Sequence, residues 1–370
     1  LRKVVNDVTI VGNQNRVAWS INLKILNIYK WATVGGVERV ILNRACAFKK
    51  HGVNVRQDVY FLHDSGGLKY FRKFIEICGL EQWVHIVTKI NEKVYDRIFI
   101  FDTPEVFDFV SDRSKVVIEC HSPYKESRAY LKSLPGEMKC IASPSQIFLE
   151  SVVRREVSSD FHDRLHVLPN FHMNDFSETM AENDIGGQGK IWGKKPICYI
   201  GRIDSMKNTK ELFDVLAQLR KTVGDEYFLL LVGDVRPHYM DLRETLRKYQ
   251  IDDRVAYFRP IPYEKVDVLL SAVRHNSGIF VSPSQGESFG LSALEAMCNG
   301  VPVLLSDIDC HKSLVSDERS FIYSLGNVSQ AVQEIGNISK DYEALSVRAE
   351  QLAQKHTSAA FIEAWGRLFI

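Results

Sequence analysis

Four charged residues in the second half of the sequence have the types and spacing to do chemistry on a phosphorylated ligand. Glu287 and Glu295 bracket the start of a helical pattern within the stretch Ser282–Leu305. An apolar run ends at Val281, a Ser/Pro/Gly loop carries Glu287, and a helix from about Gly290 to Asn299 carries Glu295. Gly300 and Pro302 close that helix, and Val301 to Leu305 form the next strand. The free N–H groups of the helix start, near Ser288, Phe289, Gly290 and Leu291, would attract an anion such as a diphosphate. Glu295 lies roughly 6–8 Å further along the axis, so one carboxylate is available on each side of a bound diphosphate. Well upstream, Arg202 follows a strand and Lys207 precedes a helix. Two fixed cations there suit a diphosphate leaving group, each charge-assisted hydrogen bond contributing roughly 1.5–3 kcal/mol.

The elements that must position these groups alternate between strand and helix. Leu23 to Tyr29 is a short apolar strand that leads through a loop ending in Gly35-Gly36 into a helix from Val37 to about His51, closed by Gly52. Further strands are expected at Val55–Leu62, His85–Thr88, Arg97–Phe101, Val116–Cys120, Lys139–Ala142 and His166–Leu168, with helical patterns between several of them. After a Gly-rich lapse a second alternating unit runs from Ile197 through strands at Phe228–Val232 and Val255–Phe258 to the stretch described above. The fold class is therefore α/β, with two Rossmann-like domains whose parallel sheets face each other across a cleft. The expected divisions are an appendage of unassigned role at 1–22, a first domain at 23–180, a linker at 181–195, a second domain at 196–350 and a C-terminal helix at 351–370. Phe361, Trp365 and Phe369 give that last helix an apolar face able to pack back on the first domain.

Composition sets limits on the rest. The 370 residues suffice for two cores, and 45% hydrophobic with 25% charged residues is ordinary for globular protein. A net charge of +1 gives no global field for nucleic acid. The sequence shows neither an apolar membrane span nor a secretory leader, and it opens on Leu1, as a piece of a longer polypeptide would. Seven cysteines without a Cys-x-x-Cys motif read as buried free thiols of a reducing cytoplasm.

Taken together, Gly35-Gly36-Val37-Glu38-Arg39, Pro169-Asn170, Gly201-Arg202 with Lys207, and Glu287-Ser288-Phe289-Gly290-Leu291 through Glu295, followed by Gly300-Val301-Pro302, resemble the family 4 retaining glycosyltransferases of GT-B fold, with their E-x7-E motif. The resemblance covers roughly residues 23–370. It implies transfer of a hexose-type sugar from a UDP- or GDP-sugar to a glycan or lipid-linked acceptor, with retention, in cell-surface polysaccharide synthesis. It places Arg202 and Lys207 on the donor diphosphate, so that no divalent metal or other cofactor is expected. Glu287 falls beside the donor sugar, Glu295 on the ribose hydroxyls, Gly35 and Gly36 at the phosphates, and Pro260 and Ile261 beside the base. His121, at the carboxyl end of a strand, is expected to touch the donor sugar or phosphate. A cytoplasmic enzyme able to sit on the inner face of the cytoplasmic membrane fits that class; segments such as 69–74 could touch a membrane face, and they read equally as an ordinary amphipathic helix.

Three departures from the family pattern stand out: Asn208 after Lys207, Arg259-Pro260 after the Val-x-Phe strand, and Ile308-Asp309-Cys310 in place of a Gly-rich turn. Asp307 and Asp309 read as a turn after a strand rather than a metal pair, and Asp252-Asp253 likewise. Glu38 and Arg39 read as first-turn charges of their helix. Competing readings are a nucleotide-sugar 2-epimerase or starch-synthase-like enzyme of the same fold, a catalytically silent GT-B binding domain, and a Rossmann oxidoreductase. The four intact charged residues argue against the silent domain, and the missing G-x-G-x-x-G against the oxidoreductase.

Overall fold

Central strands buried on both faces need near-continuous apolar sequence, and β1 (Leu23–Ala32) supplies it: Ile25, Leu26, Asn27 and Ile28 are all buried. Its one polar residue there is satisfied on one side only: Asn27 Nδ2 donates to Gln57 Oε1 at 3.2 Å, while Oδ1 has no hydrogen-bond partner among the described residues. The computed structural model describes residues 22–173 and 193–369. The expected appendage lies outside the described residues apart from Asn22, and the expected linker apart from its last three residues.

Around β1 the first domain builds β2 (Val55–Asp64), β3 (Val84–Ile86), β4 (Arg97–Phe101), β5 (Val116–Glu119), β6 (Cys140–Ser143) and β7 (Leu165–Val167) into a parallel sheet of order 3-2-1-4-5-6-7. Helix α1 (Gly36–His51) and α2 (Leu68–Ile77) cross between the first strands. The crossovers on either side of β5 are 3₁₀ turns, at Pro104–Phe109, Arg113–Lys115 and Glu126–Ser133, rather than α-helices.

The second domain orders its parallel strands 10-9-8-11-12-13: β8 (Lys195–Ile200), β9 (Tyr227–Val232), β10 (Val255–Phe258), β11 (Ile279–Ser282), β12 (Val303–Ser306) and β13 (Ile322–Tyr323). Lys195 pairs with Tyr227, so this domain starts one residue before the expected boundary. Its helices are α3 (Thr209–Val223), α4 (Leu242–Lys248), α5 (Val266–His275), α6 (Leu291–Cys298), α7 (Asp309–Leu314), α8 (Val328–Lys340) and α9 (Tyr342–Ala353).

The boundary expected at 350/351 falls inside α9, which packs on α6 and belongs to the second domain. The chain then turns at 354–357 and α10 (Ser358–Phe369) lies against α1 of the first domain. Trp365 stacks on Phe99 with centroids 5.4 Å apart and meets Phe48 edge-on at 4.9 Å. Phe361 adds contacts to Phe48 and Phe171. All seven cysteines are free thiols. Among the described residues no helix is long and apolar enough to cross a membrane.

Trp365 is a fully buried aromatic at the centre of this cluster, so Trp365→Ala should destabilise the first domain by about 3–5 kcal/mol. The check is a shift of the corresponding transition to lower urea concentration, with a second-domain reporter left in place.

Candidate functional site

Parallel sheets bring every strand's carboxyl end to one edge, and a crevice opens where the strand order reverses. In the first sheet the reversal lies between β1 and β4, and in the second between β8 and β11. The loops at the second reversal are 201–208 and 283–290, which carry Arg202, Lys207 and Glu287. Those at the first carry Gly35, Gly36 and Asp102. The topology therefore collects the candidate residues from sequence positions far apart.

Lys207 Nζ donates to Glu287 Oε1 at 2.6 Å, and Ser284 Oγ donates to the same oxygen at 2.8 Å. Burial works against ionisation of Glu287, but Lys207, His311 and the Ser284 hydrogen bond outweigh it and hold the carboxyl below its ordinary range. Asp204 shapes the cation loop: its Oδ1 accepts the Lys207 N–H at 2.9 Å and its Oδ2 accepts from Tyr124 Oη at 2.6 Å. Arg202 lies over the Tyr124 ring at 4.6 Å with its side chain 55% exposed, so its guanidinium remains open to the crevice. Asn208 adopts a left-handed conformation at φ 53°, which explains why the commonest residues other than glycine in that conformation can stand here.

Helix α6 begins at Leu291 behind Gly290, whose φ of 98° favours glycine, and no side chain caps it. Ser288 offers its carbonyl to Ser145 Oγ at 2.8 Å across the domains, while the Phe289 ring is buried edge-on to His356. His311 sits beneath this loop, fully buried, with Nδ1 3.0 Å from the Ser306 carbonyl. Burial pushes its pKa down to about 4, so it is neutral at pH 7, and Nε2 has no partner among the described residues.

Glu295 faces the other domain. Its Oε1 accepts from Arg39 Nε at 3.2 Å, and His172 Nδ1 lies 4.0 Å away. His172 in turn reaches Asp267 Oδ1 with Nε2 at 3.1 Å. Arg39 and Glu295 are 3% and 6% exposed, so Arg39 is not the solvated first-turn charge expected from sequence. Burial raises the pKa of Glu295 and its cationic neighbours offset this only in part. Arg39 Nη1 and Nη2 have no partner among the described residues. Both groups retain hydrogen-bonding capacity. Glu38 is also buried and folds the glycine loop by accepting from Thr33 N and Oγ1, at 2.5 and 2.6 Å. A Cβ on Gly35 would stand 2.8 Å from Thr33 Oγ1, and one on Gly36 would lie 4.0 Å from Leu291 Cδ1. The glycine loop thus abuts the start of α6. Pro260 and Ile261 follow β10, and two residues on Tyr263 Oη donates to Thr33 O at 3.2 Å.

His121 caps the carboxyl end of β5, but its Nε2 is committed to Glu119 Oε2 at 2.7 Å. Glu119 is fully buried and takes both nitrogens of the Arg44 fork, at 2.6 and 3.2 Å. The His121 amide donates to Asp102 Oδ2 at 2.8 Å, and Asp102 itself holds a positive φ of 42°. Asp307 and Asp309 act separately: Asp307 accepts from Leu325 N, and Asp309 opens α7 beside Lys312. Asp253 pairs with Arg220 and Arg254 in a short 3₁₀ turn. A cavity of about 360 Å³ lies away from Lys207 and Glu287, lined by His172, Cys298, Glu350 and His356 among others. Asp204, Tyr124 and His172 went unrecognised in the sequence, and Arg39 was read there as a first-turn charge. Asp204 had a signal in Gly-Arg-Ile-Asp, whereas the partners of the others are far away in the chain.

Residues 181–356 match the family described as "Glycosyl transferases group 1". The chain is 31% identical over 130 residues to a D-inositol 3-phosphate glycosyltransferase of Nocardia farcinica, covering 34% of this chain and 28% of that protein. It thus spans under a third of that curated relative. Over 94% of its length it superposes on 99% of Anabaena Alr3699/HepE, solved with UDP and glucose, at a TM-score of 0.72 and 15% identity. It likewise covers 99% of a Staphylococcus aureus TarM mutant solved with fondaparinux, α-GlcNAc-glycerol and UDP, at a TM-score of 0.72 and 12% identity. The fold is GT-B.

Of the buried pairs, Glu119 gives the clearest pH signature. Burial opposes its charge, but Arg44 and His121 more than compensate and hold its pKa at about 2. An unfolded Glu titrates near 4.3, so ionisation contributes about 3 kcal/mol that is complete above roughly pH 5 and is lost as pH falls through about 2. Glu119→Gln should therefore be less stable at pH 7, and its urea midpoint should fall less steeply than the wild type's on acidification from pH 5 to 3.

Proposed function

We propose that this protein is a retaining, metal-independent glycosyltransferase that moves a hexose-type sugar from a UDP- or GDP-sugar to a glycan or lipid-linked acceptor. Support comes from the family match of the second domain, the GT-B fold and, above all, the Lys207–Glu287 pair beside Arg202 at the strand-order reversal.

In this reading the donor diphosphate lies against the α6 start, with Arg202 and Lys207 neutralising the charge that develops on it as the anomeric C–O bond breaks. Two such cations supply what a divalent ion supplies elsewhere. Lys207 would then share itself between Glu287 and phosphate. Glu287, held ionised, lies beside the donor sugar, where it binds hydroxyls and counters positive charge at the anomeric carbon. The departing phosphate oxygen takes the acceptor hydroxyl proton as the acceptor oxygen bonds to the same face, which retains configuration. Glu295 has the hydrogen-bonding capacity to receive ribose hydroxyls while Arg39 holds its other side. Pro260 and Ile261 would border the base, and the glycine loop of the first domain would close over the phosphates, excluding water. His121, with Nε2 tied to Glu119, would present its other ring edge to the donor sugar. Synthesis of a cell-surface polysaccharide on the inner face of the cytoplasmic membrane suits such an enzyme.

A screen of UDP-, GDP- and ADP-hexoses for nucleotide release tests this directly. One donor should be turned over, and Glu287→Gln, Arg202→Ala and Lys207→Ala should each lower kcat by about 10²–10³. EDTA should leave the rate unchanged. Full activity in the Glu287 or Arg202 variant would refute the site, and loss of activity on chelation would refute the metal-free mechanism.

A further inference from the structure

The first sheet is not flush at its carboxyl edge. β1 pairs with β4 only as far as Tyr29–Phe101, but its pairing with β2 continues through Trp31–His63 to Ala32–Asp64. A two-stranded ribbon therefore projects past the rest of the sheet on the side where the crevice lies. Trp31 and His63 are cross-strand partners on one face of it, with ring centroids 4.7 Å apart and planes 35° from each other. Trp31 is 42% exposed, and His63 is exposed beside it. Lys30 Nζ lies 5.6 Å from the indole and pairs with Glu105, which comes from the turn after β4.

The platform is rigid. Ser65 N and Gly67 N both donate to Ala32 O at 3.0 Å, and Asp64 Oδ1 accepts from Gly66 N and Leu68 N. A Cβ on Gly67 would stand 2.0 Å from Thr33 O, so the β2–α2 turn is pressed directly on the end of β1. Two residues beyond Trp31, Thr33 O already accepts from Tyr263 of the second domain. The aromatic pair thus stands on the first-domain side of the crevice, near where the domains meet.

An indole exposed on a fixed backbone, with an ammonium and a carboxylate held beside it, matches the chemistry of a pyranose ring. The apolar C–H face of the sugar covers the indole, and its hydroxyls take and give hydrogen bonds to the charged pair. We infer that Trp31, His63, Lys30 and Glu105 form an acceptor-side subsite for one pyranose ring of a glycan. This rests on the proposed glycosyl transfer and locates the acceptor within it.

Saturation-transfer NMR with maltose, cellobiose, an α-1,3-mannobiose and N-acetyllactosamine as probes tests the subsite without any donor. At least one disaccharide should bind the wild type, with Trp31→Ala weakening it by about tenfold or more and Trp31→Phe retaining part of the affinity. Glu105→Gln should weaken it as well, which keeps the test valid if the alanine variant folds poorly. No binding by any of the four, or equal binding by Trp31→Ala, overturns the inference. So does a Trp31-dependent affinity for phosphatidylglycerol-containing vesicles without sugar binding. UDP and GDP titrated into the same samples separate the two claims. Nucleotide binding without Trp31-dependent sugar binding removes the subsite alone; sugar binding without nucleotide binding removes the donor reading and leaves the subsite.

Discussion

The contact on which the candidate site depends is the 2.6 Å hydrogen bond from Lys207 to Glu287. Each partner comes from the loop after one of two adjacent strands, β8 and β11, and both side chains are largely shielded from solvent. A buried charge that loses its counter-charge costs several kcal/mol. The pair is therefore a product of the topology, which brings loops 201–208 and 283–290 close enough for the two charges to meet. Ser284 and Asp204 hold the two loops at that approach through hydrogen bonds to Glu287 and to the Lys207 backbone. The result is an anionic carboxylate and a cation fixed next to each other, with Arg202 as a second cation left open.

A different balance holds between the domains. Arg39, Glu295, His172 and Asp267 form a buried polar chain in which the satisfied contacts alternate with groups lacking partners among the described residues: two Arg39 nitrogens, His172 Nδ1 and Asp267 Oδ2. A half-satisfied network is a poor source of stability. In the proposed donor complex those unpartnered atoms are where ribose hydroxyls or phosphate oxygens would bond. The Arg44–Glu119–His121 cluster inside the first domain is the contrast: a bidentate fork and a further imidazole contact hold Glu119 ionised, and it fixes the end of β5 rather than responding to anything.

Much of this was legible in the sequence because it is local. The β–loop–α pattern around Glu287 and Glu295 located the strand, the helix start at Leu291 and the glycine at 300 within a residue or two. The alternation of strands gave both parallel sheets. What was not legible is pairing over long separations. Nothing in Gly-Gly-Val-Glu-Arg indicates that Arg39 will meet Glu295, or that Tyr124 will cover Arg202 and bond Asp204. Short elements also escaped, since two residues of β13 and six of α7 cannot establish a period. The spacing of Ala331, Ile335 and Ile338 in α8 was readable as a helix face, and it passes unnoticed between a polar turn and the stronger patterns that follow.

The chain passes between the domains twice, between β7 and β8 and again between α9 and α10. The second passage is anchored by large aromatic burial: Trp365, Phe361 and Phe369 insert among Phe48, Phe99 and Phe171, all of them in the first domain's core. Hydrophobic anchoring of that size holds the helix firmly on the first domain, since each such side chain contributes on the order of 2–3 kcal/mol by its burial. The helix is thus part of the first domain's core, and residues 354–357 join it to the second domain. Polar contacts also join the domains: Arg39–Glu295, Tyr124–Asp204, Ser145–Ser288 and Tyr263–Thr33. They are not equal in strength: the two neutral hydrogen bonds contribute about 1 kcal/mol each and the two that involve a charged group roughly 1.5–3 kcal/mol, and Tyr263 adds an apolar contact by packing edge-on against Phe74.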